Sequence, residues 1–449
     1  MKLAYGIKDK PRIPQLLAFA LQQLLAIMAA TIAVPTIIGN GMSKSAALFG
    51  AGVGTIVYLL FTKFKSPVFL GSSFAFLGSM AAAFAGGVSM QLGYAGLLIG
   101  AVFAGLVYVL LAILVKAFGV KWIDKLMPAV VIGPTVAIIG LSLAGNAVGD
   151  LMKGSVTNAL GQPVASEYVA MICGLVALAV TMLCSVYGKK FIKMIPFIIG
   201  ILAGYAVAAI FTVIGMTQDI DALKVINFEL FKDMQWVPDF TFVKAFEGME
   251  EINGAYIGTI AVAYIPVAFV VFAEHIADHK NLSSIIEQDL LTDPGLSRTL
   301  LGDGVGSIAG AFFGGCPNTT YGESVGCVAI SGNASVVTIL ATAILAMAAA
   351  FVAPFTTFLE TIPSCVMGGV CMSLYGFIAV SGLKMVQKVD LEDNRNLFTA
   401  CVILIAGVGG MTLSFSVGGG QEITITSIAC ALILGILTNV MLGRKKKDQ

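Results

Sequence analysis

Between Ser66 and Val115 the chain carries no Asp, Glu, Lys, Arg or His. A run of that length without ionisable side chains crosses a bilayer more than once, because one crossing takes about 20 apolar residues. The rest of the chain is of the same kind. Of its 449 residues, 58% are hydrophobic and 11% are charged, against about 25% charged in soluble domains. A water-soluble core cannot hide that much apolar surface, so a multi-pass membrane protein in the lipid bilayer is expected. The net charge of +1 points to no nucleic-acid partner. The eight Cys lie in apolar segments with no C-x-x-C pair, so they read as buried structural thiols rather than a disulfide framework or a zinc site.

Apolar runs, broken by charge or Pro/Gly, predict spans near 14–34, 43–62, 68–87, 92–115, 127–147, 168–187, 195–216 and 254–279 in the first part of the chain. The remainder predicts 299–314, 318–331, 334–358, 363–383, 396–412 and 424–443. The segment 1–13 carries Lys2, Lys8, Lys10 and Arg12 before a long apolar stretch without a clear cleavage site. It reads as the flank of a retained first helix rather than a secretory signal. Orientation follows from where basic residues collect. Lys63 and Lys65, then Lys116, Lys121 and Lys125, then Lys189, Lys190 and Lys193, then Lys384, Lys388 and Arg395 all fall in alternate loops. The basic stretch Arg444 to Lys447 joins them, which puts both termini on the cytoplasmic side. The loop 217–253 holds Asp219, Asp221, Glu229, Asp233, Asp239, Glu247, Glu250 and Glu251 and falls outside.

The halves also repeat. Pro128-Ala-Val-Val131-Ile-Gly133 matches Pro363-Ser-Cys-Val366-Met-Gly368. At a similar offset, Ser66-Pro67-Val-Phe-Leu-Gly71-Ser-Ser-Phe74-Ala-Phe76 is paired with Gly314-Gly-Cys-Pro317-Asn-Thr-Thr-Tyr321-Gly322-Glu323. Seven spans per repeat is an odd number, so the two halves lie in opposite orientations. The expected fold is thus all-α and polytopic, with 14 transmembrane segments in two inverted seven-segment repeats. Residues 1–220 form the first repeat, 221–253 the external loop and 254–449 the second. Paired interrupted segments are the sequence pointer to a transporter's substrate site. Each mixes β-formers with Gly and Pro, so a short extended piece leading into a half-helix is expected, with free backbone N–H groups at the helix start. The alternative is that these Pro and Gly merely kink continuous helices.

Two carboxylates stand out as costly. Glu323 is the only charged residue between Gly304 and Leu359, and an acid at bilayer depth is a functional candidate by default. Glu274 ends the uncharged run that begins at Gly254 and is followed by His275, Asp278 and His279. Glu274 and Asp278 are four residues apart and share one helix face, where like charges favour holding a proton. Proton coupling through Glu274, Asp278 and Glu323 is therefore expected. The competing placement puts Glu274 at the cytoplasmic end of its helix. His275 and His279 have the spacing of metal ligands, but no third ligand stands in register, and neither a metal nor a cofactor is expected. An enzyme is not expected either. Gly322-Glu323-Ser324-Val325-Gly326 fits G-x-S-x-G, yet no His follows Ser324 in the chain.

Taken together and in order, Ala273-Glu274-His275, Asp293-Pro294-Gly295, Pro317 to Glu323 and Gly71 to Phe76 resemble the uracil permeases of the nucleobase/ascorbate transporter (nucleobase:cation symporter-2) family. The resemblance covers nearly the whole chain. It implies two β-strand-interrupted segments, a core domain of about 14–117 and 254–358, and a gate domain of about 121–216 and 363–443. The gate domain would also carry a homodimer contact. It further implies that Glu274 and Glu323 hydrogen-bond the base, that main-chain groups at Phe74 and Gly322 complete its edge, that Ala30 approaches from the first span, and that Tyr321 and Tyr375 stand near the pocket. Uracil alternates N–H donors with carbonyl acceptors, which carboxylates and backbone N–H groups complement. The chain departs from the family at Ser324 after Glu323, at Gln22-Gln23 in the first span and at Asp278, where uracil carriers have a His. The expected function is proton-coupled uracil import by alternating access across a cytoplasmic membrane. A xanthine or urate permease, or an anion exchanger of the sulfate-permease type, is the alternative.

Overall fold

The computed structural model describes residues 3–119, 122, 128–158, 162–189, 191–416 and 422–443. Lys2, Lys121, Lys125, Lys190 and the basic stretch 444–447, which entered the orientation argument, lie outside the described residues.

The first part of the chain runs through α1 (Ile13–Ile38), α2 (Lys44–Phe61), the strand β1 (Leu70–Ser72), α3 (Leu77–Ala83) and α4 (Met90–Phe118). It continues through α5 (Ala129–Ser142), α6 (Ala144–Leu151), α7 (Glu167–Tyr187) and α8 (Pro196–Thr217). Short helical turns in the acidic loop include α9 (Thr241–Glu247). The second part holds α10 (Gly254–Ile286), α11 (Leu296–Gly314), the strand β2 (Asn318–Thr320), α12 (Gly322–Ser331), α13 (Val336–Ala349) and α14 (Ala353–Thr361). It closes with α15 (Ser364–Val386), α16 (Asn394–Val408), a hairpin of β3 (Leu413–Ser416) and β4 (Glu422–Ile425), and α17 (Ser427–Leu442). Among the described residues, eight helices are long and apolar enough to cross a membrane, or nine if a bent pair counts as one span. Shorter apolar helices stand at Phe74–Ala83, Asn394–Val408 and Ser427–Leu442. The protein is a largely helical, multi-pass membrane protein.

The bent pair corrects an expectation. The span predicted at 334–358 is broken into α13 and α14, which meet at 84°. Pro354 stands in the first turn of α14. A proline has no N–H to give and its ring collides with the preceding turn, so it starts a helix but does not continue one. At the break between the spans predicted at 396–412 and 424–443, β3 and β4 pair antiparallel with Leu413 opposite Ile425.

Glycine lets α2 and α11 pack backbone to backbone. A Cβ on Gly50 would stand 2.4 Å from the Gly310 carbonyl, so any larger residue there would push the helices apart; close small-residue contact is how helices associate in lipid. At the end of the molecule that carries the acidic loop, phenylalanines seat α9. Phe242 stacks on Phe312 at 4.9 Å, and Phe240 meets Phe49 and Phe313 edge-on at 5.1 and 5.6 Å. Six of the cysteines are buried, Cys184 is half-buried and Cys401 is exposed. Cys401 thus departs from the buried-thiol expectation: it sits on the outward face of α16, where an apolar thiol meets lipid at no cost.

Candidate functional site

The two Pro-bearing segments do not kink continuous helices. Each lays down a three-residue strand, and the strands pair antiparallel with Leu70 opposite Thr320, Gly71 opposite Thr319 and Ser72 opposite Asn318. Ser73 N–H donates to Pro317 O at 3.0 Å and Tyr321 N–H to Phe69 O at 3.3 Å, extending the ladder at both ends. Inside a bilayer an unpaired strand would leave its peptide groups without partners, and the pairing supplies them. Side chains hold the ladder in place: Asn318 Nδ2 donates to Gly50 O at 3.0 Å and Tyr321 OH to Ser72 O at 2.8 Å. Tyr321 lies flat enough on β1 that a Cβ at Gly71 would be 2.3 Å from its ring. Only glycine fits there.

Beyond the strands the chain turns directly into helix, at Phe74–Phe76 on one side and at Gly322 on the other. The first N–H groups of a helix have no intrahelical acceptor, and that end carries the positive side of the backbone dipole. A small pocket of about 40 Å³ opens at this junction, lined by Ser73, Phe74, Ala75, Tyr321, Gly322 and Glu323 together with Glu274, Thr319, Thr320, Ile139 and Ile378. It contains carboxylates, hydroxyls and helix starts and, among the described residues, no Lys, Arg or His. Glu274, Gly322, Glu323 and Ile378 also line a larger cavity of about 350 Å³, where they are joined by Asp278, Ala26, Cys327, Leu374, Lys193 and Met385.

The helix that brings Glu274 and Asp278 here runs from Gly254 to Ile286. It continues for about three turns beyond Glu274, so Glu274 does not stand at a helix end. Asp278 accepts a hydrogen bond from Thr320 Oγ1 at 2.9 Å, which ties α10 to β2. Ser324 receives Gln23 Nε2 at 2.6 Å and Phe69 N–H at 3.2 Å on its hydroxyl. Through this one side chain α1, the residue before β1 and α12 are joined directly beside Glu323.

Not every expected residue reaches the pocket. Ala30 is 1% exposed and lines neither cavity; Ala26, one turn earlier, does. The helical repeat puts both on one face of α1, and the inner cavity meets that face at the earlier turn. Tyr375 stands behind Phe74, its ring edge-on at 5.7 Å between centroids. Asp293-Pro294-Gly295 lies away from the cavities, where Asp293 accepts from Lys65 Nζ at 2.7 Å. The histidines point the other way from Glu274, into the core. His275 Nδ1 lies 2.6 Å from Asp303 Oδ2 and its Nε2 lies 3.0 Å from Thr299 Oγ1. His279 lies 2.7 Å from Tyr58 OH, which also donates to Ser66. With their ring nitrogens so engaged, the two histidines are parts of a buried network. No group of three His, Cys, Asp or Glu suited to a metal occurs among the described residues. Sequence reasoning passed over Asp303, although a carboxylate between Gly302 and Gly304 in an apolar helix was the available signal.

The chain is similar to known proteins along nearly its whole length. The Permease family (Xan_ur_permease) matches residues 14–415. The uracil permease of Bacillus subtilis (strain 168) is 38% identical, over 100% of this chain and 97% of the relative. The uracil permease of Escherichia coli (strain K12) is 35% identical over 96% and 92%. Among solved structures, the transmembrane domain of a cyanobacterium bicarbonate transporter, BicA, superposes with a TM-score of 0.62 at 15% identity, covering 96% of this chain and 99% of that one. A murine Solute Carrier 26 anion transporter in the inward-facing state gives 0.63 at 13%, over 97% and 69%. At such identities the last two share the fold alone. The full-length relatives and the family match make this chain a transporter rather than an enzyme, a member of the permease family and, within it, of the uracil permeases of the nucleobase:cation symporter-2 group.

Proposed function

We propose that this protein imports uracil, or a closely related nucleobase, together with a proton. The observation that carries the reading is the convergence of Glu274 and Glu323, from separate helices, on one small pocket that also holds the helix starts at Phe74 and Gly322. A flat heterocycle whose edge alternates N–H and C=O matches that set: carboxylates accept from its N–H groups, and backbone N–H groups donate to its carbonyls. The relatives named uracil permeases support the choice of base. Xanthine and urate present the same kind of edge on a larger frame and are the neighbouring alternative.

A proton enters through the cost of charge. Three carboxylates, Glu274, Asp278 and Glu323, line one cavity in the membrane-spanning part of the chain. Leaving all three ionised would set like charges against each other, so one takes up a proton before or with the base. Asp278, held by Thr320, and Glu274 share a face of α10 and serve as its carriers along with Glu323. An anion cargo, which the two fold neighbours' names include, is disfavoured, because it would lie against Glu274 and Glu323 in a pocket lined by no basic residue.

In this reading the chain has 14 segments in two inverted repeats, and the antiparallel β1–β2 contact is what two oppositely directed interrupted segments would make. Residues 14–117 and 254–358 form the core, and 121–216 and 363–443 form the gate against which it moves. Both termini are cytoplasmic. The test is uptake of labelled uracil into proteoliposomes, with and without an inward proton gradient, challenged by excess xanthine and thymine. Gradient-stimulated uptake that resists xanthine is expected. Uptake indifferent to the gradient would remove proton coupling, and absence of uracil flux would remove the substrate.

A further inference from the structure

A third cavity lies on the other side of the pocket. It measures about 470 Å³ and faces the end of the molecule that carries the acidic loop, between the ends of α1 and α3 on one side and α5, α6 and α17 on the other. Lys244 of that loop donates to Gly41 O just beyond α1, which fixes the direction. The cavity with Lys193 and Met385 opens toward the opposite end. Among the residues lining the small carboxylate pocket and those lining the loop-end cavity, one is common to both: Phe74. Phe74 is 8% exposed, and its ring meets that of Tyr375, itself 2% exposed, edge-on at 5.7 Å. Phe74 belongs to the interrupted segment after β1, whereas Tyr375 belongs to α15, so the contact joins the proposed core, 14–117 with 254–358, to the proposed gate, 121–216 with 363–443. All three cavities lie along that seam: Glu274 and Gly322 face Ile378 and Leu374 in one, and Asn40 and Leu77 face Ser142 and Asn146 in the other.

We propose that the loop-end cavity is the entry vestibule of the transport path, a compartment for neutral planar solutes, and that the Phe74 ring closed on Tyr375 is the gate between it and the carboxylate pocket. This rests on the transport reading above but not on which base is carried. The vestibule's polar groups are the carboxamides of Asn40 and Asn146 and the hydroxyls of Ser142, Thr426 and Ser427; among the described residues no ionisable side chain lines it. A neutral base finds donors and acceptors there, while an ion loses water and gains no opposite charge. Phe74 thereby has two functions separated along one residue. Its backbone, at the start of a helix, faces the pocket, and its ring separates the pocket from the vestibule. In the arrangement seen here the ring is in place, and the carboxylate pocket shares Glu274, Gly322, Glu323 and Ile378 with the Lys193 cavity but only Phe74 with the vestibule.

Native Cys327 lines the inner cavity and serves as a reporter. The full chain is placed in oriented membrane vesicles, and a neutral, sugar-bearing methanethiosulfonate that does not cross the membrane is added from the loop side. Peptide mass spectrometry then reads modification of Cys327 and of a second reporter, Ser142→Cys, in the vestibule. In the otherwise unaltered protein, Ser142→Cys should react quickly and Cys327 should be protected. Phe74→Ala should make Cys327 react on the order of tenfold faster, the change that corresponds to about 1.4 kcal/mol. Tyr375→Ala, which removes the other half of the contact, should do the same and serves if Phe74→Ala does not fold. Phe74→Leu, which refills most of the space, should restore protection. The proposal is overturned if Ser142→Cys is unreactive from the loop side, or if a folded Phe74→Ala or Tyr375→Ala protein leaves Cys327 as protected as before. No substrate enters these measurements, so a wrong base assignment leaves their outcome untouched.

Discussion

Glu323 sits where one side chain meets several demands. It stands in the first turn of a helix, lines a pocket of about 40 Å³ with Glu274 and is followed by Ser324, whose hydroxyl joins α1, the residue before β1 and α12. A carboxylate that accepts from a bound N–H contributes a charge-assisted hydrogen bond of about 1.5–3 kcal/mol. Glu323→Ala is therefore expected to lower uracil uptake by roughly tenfold to a hundredfold. The check is labelled uptake corrected for the amount of protein in the membrane. Glu323→Gln keeps the shape and one acceptor and should retain more binding than the alanine variant. Full uptake by Glu323→Ala at normal abundance would remove Glu323 from the site. Behind the pocket, the hydrogen bonds of His275 with Asp303 and Thr299 belong to the core. A histidine adjoining an acidic site in sequence need not face it: one step along a helix turns a side chain by about 100°.

At the scale of elements, the paired strands are the part of the fold that makes the site. Each is only three residues long, and neither would form alone, because a lone strand leaves its peptide groups unpaired in lipid. Packing on Gly50 through Asn318, and of Tyr321 over Gly71, sets the register. Gly71→Ala places a methyl group 2.3 Å from the Tyr321 ring, and overpacking of this kind costs about 1–3 kcal/mol. The expected result is lost uptake with a lowered thermal midpoint in detergent. Adding Tyr321→Leu to Gly71→Ala should recover part of the midpoint. If Gly71→Ala alone behaves like the native protein, the strand pair is not held as tightly as the geometry requires. The broken helix at α13–α14 is the complementary case, in which one proline next to Val352 and Ala353 turns an apolar run into two helices at 84°.

For the whole molecule, three cavities are each lined by residues of 14–117 or 254–358 on one side and of 121–216 or 363–443 on the other. The proposed alternation requires these two sides to move past each other there. Ala81 and Ser142 line the same loop-end cavity from opposite sides. A double Ala81→Cys, Ser142→Cys protein bridged by a short bifunctional thiol reagent should lose uptake, and a cleavable reagent should return it on reduction. Undiminished uptake while bridged would show that the vestibule walls do not separate during transport.

Membrane residence was legible in the sequence because it depends on composition and run length, which need no knowledge of contacts. The two candidate acids were legible for the same reason, since a lone charge in an apolar run is conspicuous wherever the run ends up. Prolines and glycines at Pro67, Gly71, Pro317 and Gly322 marked where helix gives way to strand and begins again. Tertiary structure decided the rest. Whether Ala26 or Ala30 meets the cavity depends on the depth at which α1 passes it, and no local pattern encodes that depth. Asp303 was overlooked because its partner His275 is brought to it only by the packing of α10 on α11. The position of Phe74 between two cavities depends on Tyr375, which lies some three hundred residues further along the chain and reaches the ring only through the folding of the whole chain. Sequence patterns report what each segment prefers by itself, whereas a site between segments is set by distances that only the packed molecule has.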